Sequence, residues 1–452
     1  MFKVKDAKAK LQEILTVMLP IFVTQLAVMG MNFFDTVMSG QAGSADLAGV
    51  AIGSNIWMPF FTSLNGILVA LTPIVAQHYG AGRREDISKA VLHGIYLAVI
   101  IGAAVIATFW FILGDALSLI GLEPEVQAVA EGYLKALSFG VIPIFICSIL
   151  RGFVDTLGYT AMTMRIFLLT LPMNILLNYV LIFGKMGLPR LGGVGAGYAT
   201  ALTYTLISLF FIVAIGRIGR LKEYVRFAGW RKQEFMPSLL KEHLLIGIPI
   251  GTAIFFESSI FGMIALFMAK FGTTAIAAHQ AAINFTSLLY MLPLSFSMAL
   301  TIIIGVKVGA GEYDEAAGYG RIGILANLTI AGLFVVLLVF IREQIAMLYS
   351  DDGEIITLAA KFLFYAAFFQ LLDGTAAPIQ GILRGYKDVK TAFYASLFAY
   401  WVICLPFGLA LDFYFGHGPF SYWESLITGL FFSACFLLLR LRRIQRKFAG
   451  KG

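Results

Sequence analysis

Three carboxylates stand where an ionised side chain is hardest to keep. Asp35 sits in NFFDTVMSG, Glu257 in IFFESSIFG and Asp373 in FFQLLDGTAAP. Each is flanked by phenylalanines and has no basic residue within helical reach on its own segment. A charge at the centre of a membrane helix carries a nominal cost of about 2.5–3.5 kcal/mol. Burial disfavours the charged form of an unpaired acid, so such a group takes up a proton or a metal cation. An acid that binds a cation in one state and loses it in another is an ion-coupling site. The plainer alternative is a structural acid satisfied by its neighbours or lying near a helix end. Asp35 lies in the outer part of its segment, whereas Glu257 and Asp373 lie deeper.

A second set is polar and uncharged. Asn174 and Asn178 are one helical turn apart on one face, and so are Gln280 and Asn284. Amides at that spacing either join helices or line a polar cavity. Asn55, the repeat counterpart of Asn284 described below, belongs with these cavity candidates.

The elements that must position these residues are membrane spans. Of 452 residues, 59% are hydrophobic and only 13% are charged, and mean hydropathy is +0.86. Soluble domains carry roughly 25% charged residues. A span needs about 20 mostly apolar residues, and that template predicts helices near 12–38, 46–77, 88–115, 125–150, 161–184, 195–217, 239–269, 273–308, 317–349, 355–383, 391–415 and 420–440. Several exceed a perpendicular crossing, which implies tilt or extension beyond the bilayer. The apolar stretch after the basic start MFKVKDAKAK is longer than the roughly 7–15 residues of a signal-peptide core, so it reads as the first span. Cys147, Cys404 and Cys435 have no metal-type spacing and read as packing residues.

The basic residues set the orientation. With the N-terminus in the cytoplasm, 27 of the 33 Lys and Arg fall on the cytoplasmic side, in groups such as Lys3–Lys10, Arg83–Lys89, Arg217–Lys241, Arg384–Lys390 and Arg440–Lys451. The opposite loops are acidic or neutral, as at Glu123, Glu125, Asp351, Asp352 and Glu354. This is the positive-inside pattern, and an even number of spans returns the C-terminus to the cytoplasm. The net charge of +7 is therefore a topology signal. It does not point to nucleic acid, because no basic stripe is interleaved with exposed aromatics.

The chain repeats itself. A shift of 229 residues places Pro20 on Pro249, Asn55 on Asn284, Ala70-Leu71-Thr72 on Ala299-Leu300-Thr301, and Gly80-Ala81-Gly82 on Gly309-Ala310-Gly311. After a small insertion, Ile149-Leu150-Arg151-Gly152 matches Ile382-Leu383-Arg384-Gly385. Six helices per repeat make parallel repeats related by a pseudo-two-fold axis along the membrane normal. The expected fold class is thus an all-α polytopic membrane protein of twelve helices in two six-helix lobes. The N-terminal lobe is 1–216, a cytoplasmic linker covers 217–238, and the C-terminal lobe is 239–452. Two similar lobes with an interface suit alternating-access transport.

Signatures of other chemistry do not occur. No phosphate-binding loop of the Walker type and no HExxH motif is present, and the five histidines are scattered. The glycines from Gly193 to Gly197 follow no strand, so they read as the closely packed start of a helix.

Several of these residues carry a resemblance. Pro20 with Asn32–Gly40, Gly80-Ala81-Gly82, Leu177-Asn178-Tyr179, the run GLPRLGGVGAGYAT, Ala278-His279-Gln280 and Ile382–Asp388 resemble the multidrug and toxic compound extrusion (MATE) family over nearly the whole chain. Glu257 after two phenylalanines and Asp373 in the tenth helix resemble its NorM-type branch. The resemblance implies a V-shaped pair of lobes around a central cavity. It implies export of organic cations in exchange for sodium ions or protons, with no other cofactor. It would make Glu257 and Asp373 the cation-coupling pair, as Na+ ligands if sodium is the ion, and Asp35 the acid that binds substrate or a proton. Phe369, one turn before Asp373, lacks the hydroxyl of a tyrosine that some sodium-coupled relatives have there. The expected protein is a monomeric antiporter of the bacterial cytoplasmic membrane, and not an enzyme. A flippase for lipid-linked saccharides of related architecture would instead call for cavity cations, and an intramembrane enzyme for a nucleophile–base pair.

Overall fold

The computed structural model describes residues 4–227 and 235–448. Part of the expected linker, with Arg231 and Lys232, and also Lys3 and Lys451, lies outside the described residues. Among the described residues there is no strand. Twelve helices are long and apolar enough to cross a membrane: α1 Asp6–Ala42, α2 Ser44–Gly80, α3 Arg84–Phe111, α4 Pro124–Thr156, α5 Thr160–Phe183, α6 Gly193–Arg217, α7 Pro237–Phe271, α8 Thr273–Gly309, α9 Tyr313–Met347, α10 Gly353–Gly385, α11 Lys390–Phe415 and α12 Phe420–Phe448. All twelve match the predicted spans; most ends run a few residues further, whereas α3 stops at Phe111, α5 at Phe183 and α9 at Met347, short of the predicted ends. A helix of 37 residues, such as α1, is roughly 55 Å long against a hydrocarbon core of about 30 Å. Once the hydrogen-bonded ladder is nucleated in the apolar stretch it continues into the polar ends at little cost.

Proline interrupts that ladder by removing a donor. Pro20, Pro143, Pro172, Pro249, Pro293 and Pro378 all lie inside helices. α2 breaks at Ala70 into Ser44–Val69 and Leu71–Gly80, with Pro73 in the first turn of the second piece. α11 contains a π-helical stretch, Leu397–Cys404, with Pro406 just beyond it.

The packing units divide at two of these prolines. One unit is Pro20–Ile248, and the other is Met1–Leu19 with Pro249–Gly452. The sequence placed the division in the linker at 217–238. In the structure the first part of α1 belongs with α8 and α9. There Lys10 pairs with Asp6 at 3.1 Å and with Glu315 at 3.0 Å, and the Tyr319 hydroxyl donates to Glu13. The part of α7 before Pro249 belongs with the other unit, where Gly247 lets the Ile67 carbonyl approach closely. A broken ladder lets each helix change direction, so α1 and α7 both serve two units.

Small residues set the closest helix contacts. A Cβ on Gly195 would lie 2.7 Å from the Leu181 carbonyl carbon, which is the close packing the glycine run predicted. A Cβ on Gly381 would fall well inside contact with the backbone of Ser297, so α10 and α8 touch along their main chains. Backbone cannot yield as a flexible side chain can. Gly381→Ala is expected to destabilise the protein by about 1–3 kcal/mol through overpacking, read as earlier thermal unfolding in detergent. Cys147 and Cys404 are buried, whereas Cys435 is exposed on its helix.

Candidate functional site

Asp35, on α1, is buried in the Pro20–Ile248 unit, where α5 and α6 supply its partners. Asn178 Nδ2 donates to Oδ1 at 2.5 Å and Asn174 Nδ2 at 3.3 Å. The Thr200 hydroxyl donates to Oδ2 at 2.8 Å. Asn178 Nδ2 also reaches Asn174 Oδ1 at 3.2 Å, and Asn174 Nδ2 reaches the Thr203 hydroxyl at 3.4 Å. Three neutral donors thus hold an acid that has no cationic partner among the described residues. Hydrogen bonds from neutral donors orient a carboxylate but leave its charge uncancelled. A proton or an organic cation would cancel it. Asn178 Oδ1, buried and without a donor, is a further acceptor in the same network.

The second site lies in the other unit. Glu257 is half-buried, and its Oε1 accepts from Gln380 Nε2 and from the Ser396 hydroxyl, both at 2.8 Å. Ser396 ends the α-helical start of α11, just before the π-helical stretch. Such stretches recur at functional sites because they rotate the side chains that flank them. Asp373 is buried and within electrostatic reach of Glu257. No hydrogen bond reaches it among the described residues. Around the same turn of α10 the oxygens outnumber the donors. Gln370 Oε1, one turn earlier, is buried without a donor. Asn327 Nδ2 donates to the Gly374 carbonyl at 2.6 Å while its Oδ1 is also orphaned. Phe369 is buried edge-on against Phe261, with ring centroids 6.0 Å apart.

A cation stands behind this pair. Arg384, buried near the far end of α10, donates through Nη2 to Gln380 Oε1 at 3.4 Å, and its Nε is buried without a partner. Gln380 therefore bridges Arg384 to Glu257. The repeat shows how unusual this is. Arg151, the counterpart of Arg384, reaches its own carboxylate, Asp155, at 3.4 Å. It also donates to Gln25 Oε1 at 3.0 Å, and the Thr163 hydroxyl donates to Asp155 at 2.5 Å. In the second repeat the counterpart of Asp155 is Asp388, which is taken instead by Arg440 at 2.6 Å. Ser396, the counterpart of Thr163, has turned to Glu257. The duplicated arginine has lost its neighbouring acid, and through Gln380 it is linked to Glu257 instead.

The structure thus brings Asp35, Asn174 and Asn178 together, and Glu257 near Asp373. Gln280 donates only to Asn284, at 3.5 Å, and both are exposed on α8. Asn55 is exposed on α2. None of these three joins either buried network. Sequence reasoning missed Thr200, Gln380, Ser396 and Arg384. Gln380 and Arg384 carried a signal, since they lie two and three turns beyond Asp373 on the same helix. Among the described residues no three of His, Cys, Asp and Glu converge as a metal centre.

Comparison with known proteins agrees with this architecture. A family model described as MatE matches residues 20–180 and again 249–409, an offset equal to the repeat read from the sequence. A probable multidrug resistance protein NorM from Halalkalibacterium halodurans is 49% identical over 436 residues, covering 96% of this chain and 94% of that protein. Its namesake in Bacillus subtilis is 45% identical over 451 residues, covering 100% and 99%. Among solved structures, the eukaryotic MATE transporter AtDTX14 aligns with a TM-score of 0.87 at 19% identity, over 98% of this chain and 99% of its own. A MOP superfamily transporter from Pyrococcus furiosus aligns at 0.88 and 20%, over 97% and 96%. At such identities the solved structures speak for the fold alone. Matched by the family model in both repeats, and close to half identical to NorM proteins over nearly its whole length, the chain belongs to the multidrug and toxic compound extrusion (MATE) family of membrane transporters, on its NorM branch.

Proposed function

We propose that this transporter exports cationic amphipathic drugs from the bacterial cytoplasm by alternating access, in exchange for a small cation bound at Glu257 and Asp373. The observation that carries the reading is the unpaired Asp373 on a turn of α10 at which Gln370 Oε1 and Asn327 Oδ1 are also buried without donors. A proton satisfies one acceptor, whereas a sodium ion is coordinated by several oxygens, so the arrangement favours sodium. The incoming ion neutralises the acids and shifts the equilibrium toward the state that has released drug. By reciprocity, a bound organic cation favours the ion-free state. Both termini lie in the cytoplasm and the helices cross the inner membrane. The relatives named for multidrug resistance support drug export over a saccharide flippase, as does the acidic character of both buried networks.

The decisive experiment uses vesicles loaded with ethidium, under an imposed sodium gradient or an imposed pH gradient. Export under sodium alone is expected, and export under the pH gradient alone would assign the proton instead.

Asp35 is the substrate acid in this scheme. In Asp35→Asn an amide nitrogen replaces one oxygen and faces donors from Asn178 or Thr200. The variant is expected to bind ethidium at least tenfold more weakly, from the loss of about 1.5–3 kcal/mol of charge-assisted interaction. Ion-dependent stabilisation at the other site should persist. Unchanged ethidium affinity would remove Asp35 from the binding site.

A further inference from the structure

Six of the 33 Lys and Arg residues fall toward the helix ends away from the chain termini: Lys135, Lys185, Arg190, Lys270, Arg342 and Lys361. Lys135 pairs with Glu131 and Lys270 with Asp412. Arg190 donates to the Ala42 carbonyl, and Lys185 lies in the loop between α5 and α6. Arg342 and Lys361 differ from these. They line one cleft of about 430 Å³ with Phe364, Tyr365 and Phe420, between α9, α10 and α12. Neither has a carboxylate partner among the described residues.

The cleft is built to keep these charges available. The Arg342 guanidinium lies over the Phe364 ring, 5.3 Å from its centroid, which orients the group without neutralising it. Glu424, the acid bordering the cleft, is already engaged. His417 Nδ1 lies 3.0 Å from one of its oxygens, and the Tyr365 hydroxyl donates to the other at 3.3 Å.

Depth identifies the guest. α10 has 33 residues, roughly 50 Å of helix, and so projects about 10 Å beyond each side of a 30 Å hydrocarbon core. Lys361 is eight residues from its start at Gly353, or about 12 Å along the axis. Arg342 is five residues before the end of α9 at Met347. On this scale Arg342 stands just outside the hydrocarbon edge and Lys361 about 2 Å inside it, so both cations lie at the boundary where lipid phosphates are within reach, with aromatic rings beside them. Aromatic side chains suit that boundary.

We propose that this cleft binds the phosphate of an anionic glycerophospholipid in the leaflet opposite the termini. Arg342 and Lys361 take the phosphate, while Phe364, Tyr365 and Phe420 receive the glycerol and the first acyl carbons. Basic pockets between membrane helices bind acidic headgroups through this chemistry. The positive-inside bias makes the site more telling, because two unpaired cations at the depleted end have no topological reason to converge.

The test is titration of the purified full chain in detergent with phosphatidylglycerol or phosphatidylcholine, read by native mass spectrometry. Wild type is expected to bind phosphatidylglycerol at least tenfold more tightly. The double variant Arg342→Gln with Lys361→Gln should lose about tenfold to thirtyfold in that affinity, and each single variant part of it. The charge-keeping exchange Arg342→Lys with Lys361→Arg should retain it. Neutralising Arg442 and Arg443, at the opposite end, controls for general attraction to acidic lipid and should change it far less. Displacement by millimolar glycerol 3-phosphate would support the same phosphate site with a soluble occupant, and failure of displacement supports the lipid. Equal affinity for the two lipids, or an undiminished phosphatidylglycerol affinity in all the Arg342 and Lys361 neutralisations, would overturn the proposal.

Discussion

Asp373→Asn and Glu257→Gln are each expected to lower ion-driven export of ethidium at least a hundredfold while the protein still folds. Both substitutions keep the volume of the side chain and remove its charge. Asp373 receives no hydrogen bond among the described residues, so its amide loses no existing donor. In Glu257→Gln the retained carbonyl oxygen can still accept from Gln380 and Ser396, which bond a single oxygen of the native acid. Neutral side chains here resemble the ion-occupied state, and the transporter should rest in whichever conformation that state favours. Two readouts separate lost coupling from lost folding. Unfolding temperature without sodium should match or exceed wild type, since an unpaired buried charge has been removed. Stabilisation by added sodium, worth about 2.7 kcal/mol at a hundred times its dissociation constant, should vanish. Near-normal export by both variants would exclude the pair from coupling.

Arg384→Gln is expected to act in the opposite sense on ion affinity. The guanidinium is joined to Glu257 through Gln380. A unit charge acting across about one side-chain length contributes roughly 2 kcal/mol at an effective dielectric near 20, a factor of about 30 in affinity. Without it the acids should hold the coupling ion more tightly and release it more slowly. The apparent sodium affinity should rise by about tenfold or more and maximal export should fall by a similar factor. Arg384→Lys keeps the charge and should restore much of the exchange. An ion affinity unchanged in Arg384→Gln would show that the arginine only packs the helix end. The corresponding change at Arg151 should act differently, because it strips Asp155 of a direct partner. Breaking a buried pair in this way typically costs about 3–5 kcal/mol, so that variant should fail mainly in folded yield.

The contrast between the two arginines marks the limit of sequence reading. The motif Ile-Leu-Arg-Gly occurs at 149–152 and at 382–385, where the sequence marks a repeat and nothing more. Asp155 and Asp388 even follow at the same spacing. Yet Asp155 stays with its arginine, whereas Asp388 is drawn to Arg440 on α12. Similarly, Asn174 with Asn178 and Gln280 with Asn284 look alike on paper. Only the first pair turns toward an acid. The cost of a buried charge made Asp35, Glu257 and Asp373 visible, but nothing local reveals a Thr200 or a Ser396 whose hydroxyl is satisfied across the fold.

The sequence by itself determined the twelve spans, the repeat at an offset of 229 and the three acids. Each follows from a property carried along the chain, namely apolar length, recurring residue identities and the cost of a carboxylate in hydrocarbon. The tertiary structure alone decided the partners of those acids and the division of α1 and α7 at Pro20 and Pro249. Successive residues turn about 100° around a helix. A small rotation or a proline bend therefore changes which side chains face one another, and only the packing of all the helices together sets that angle.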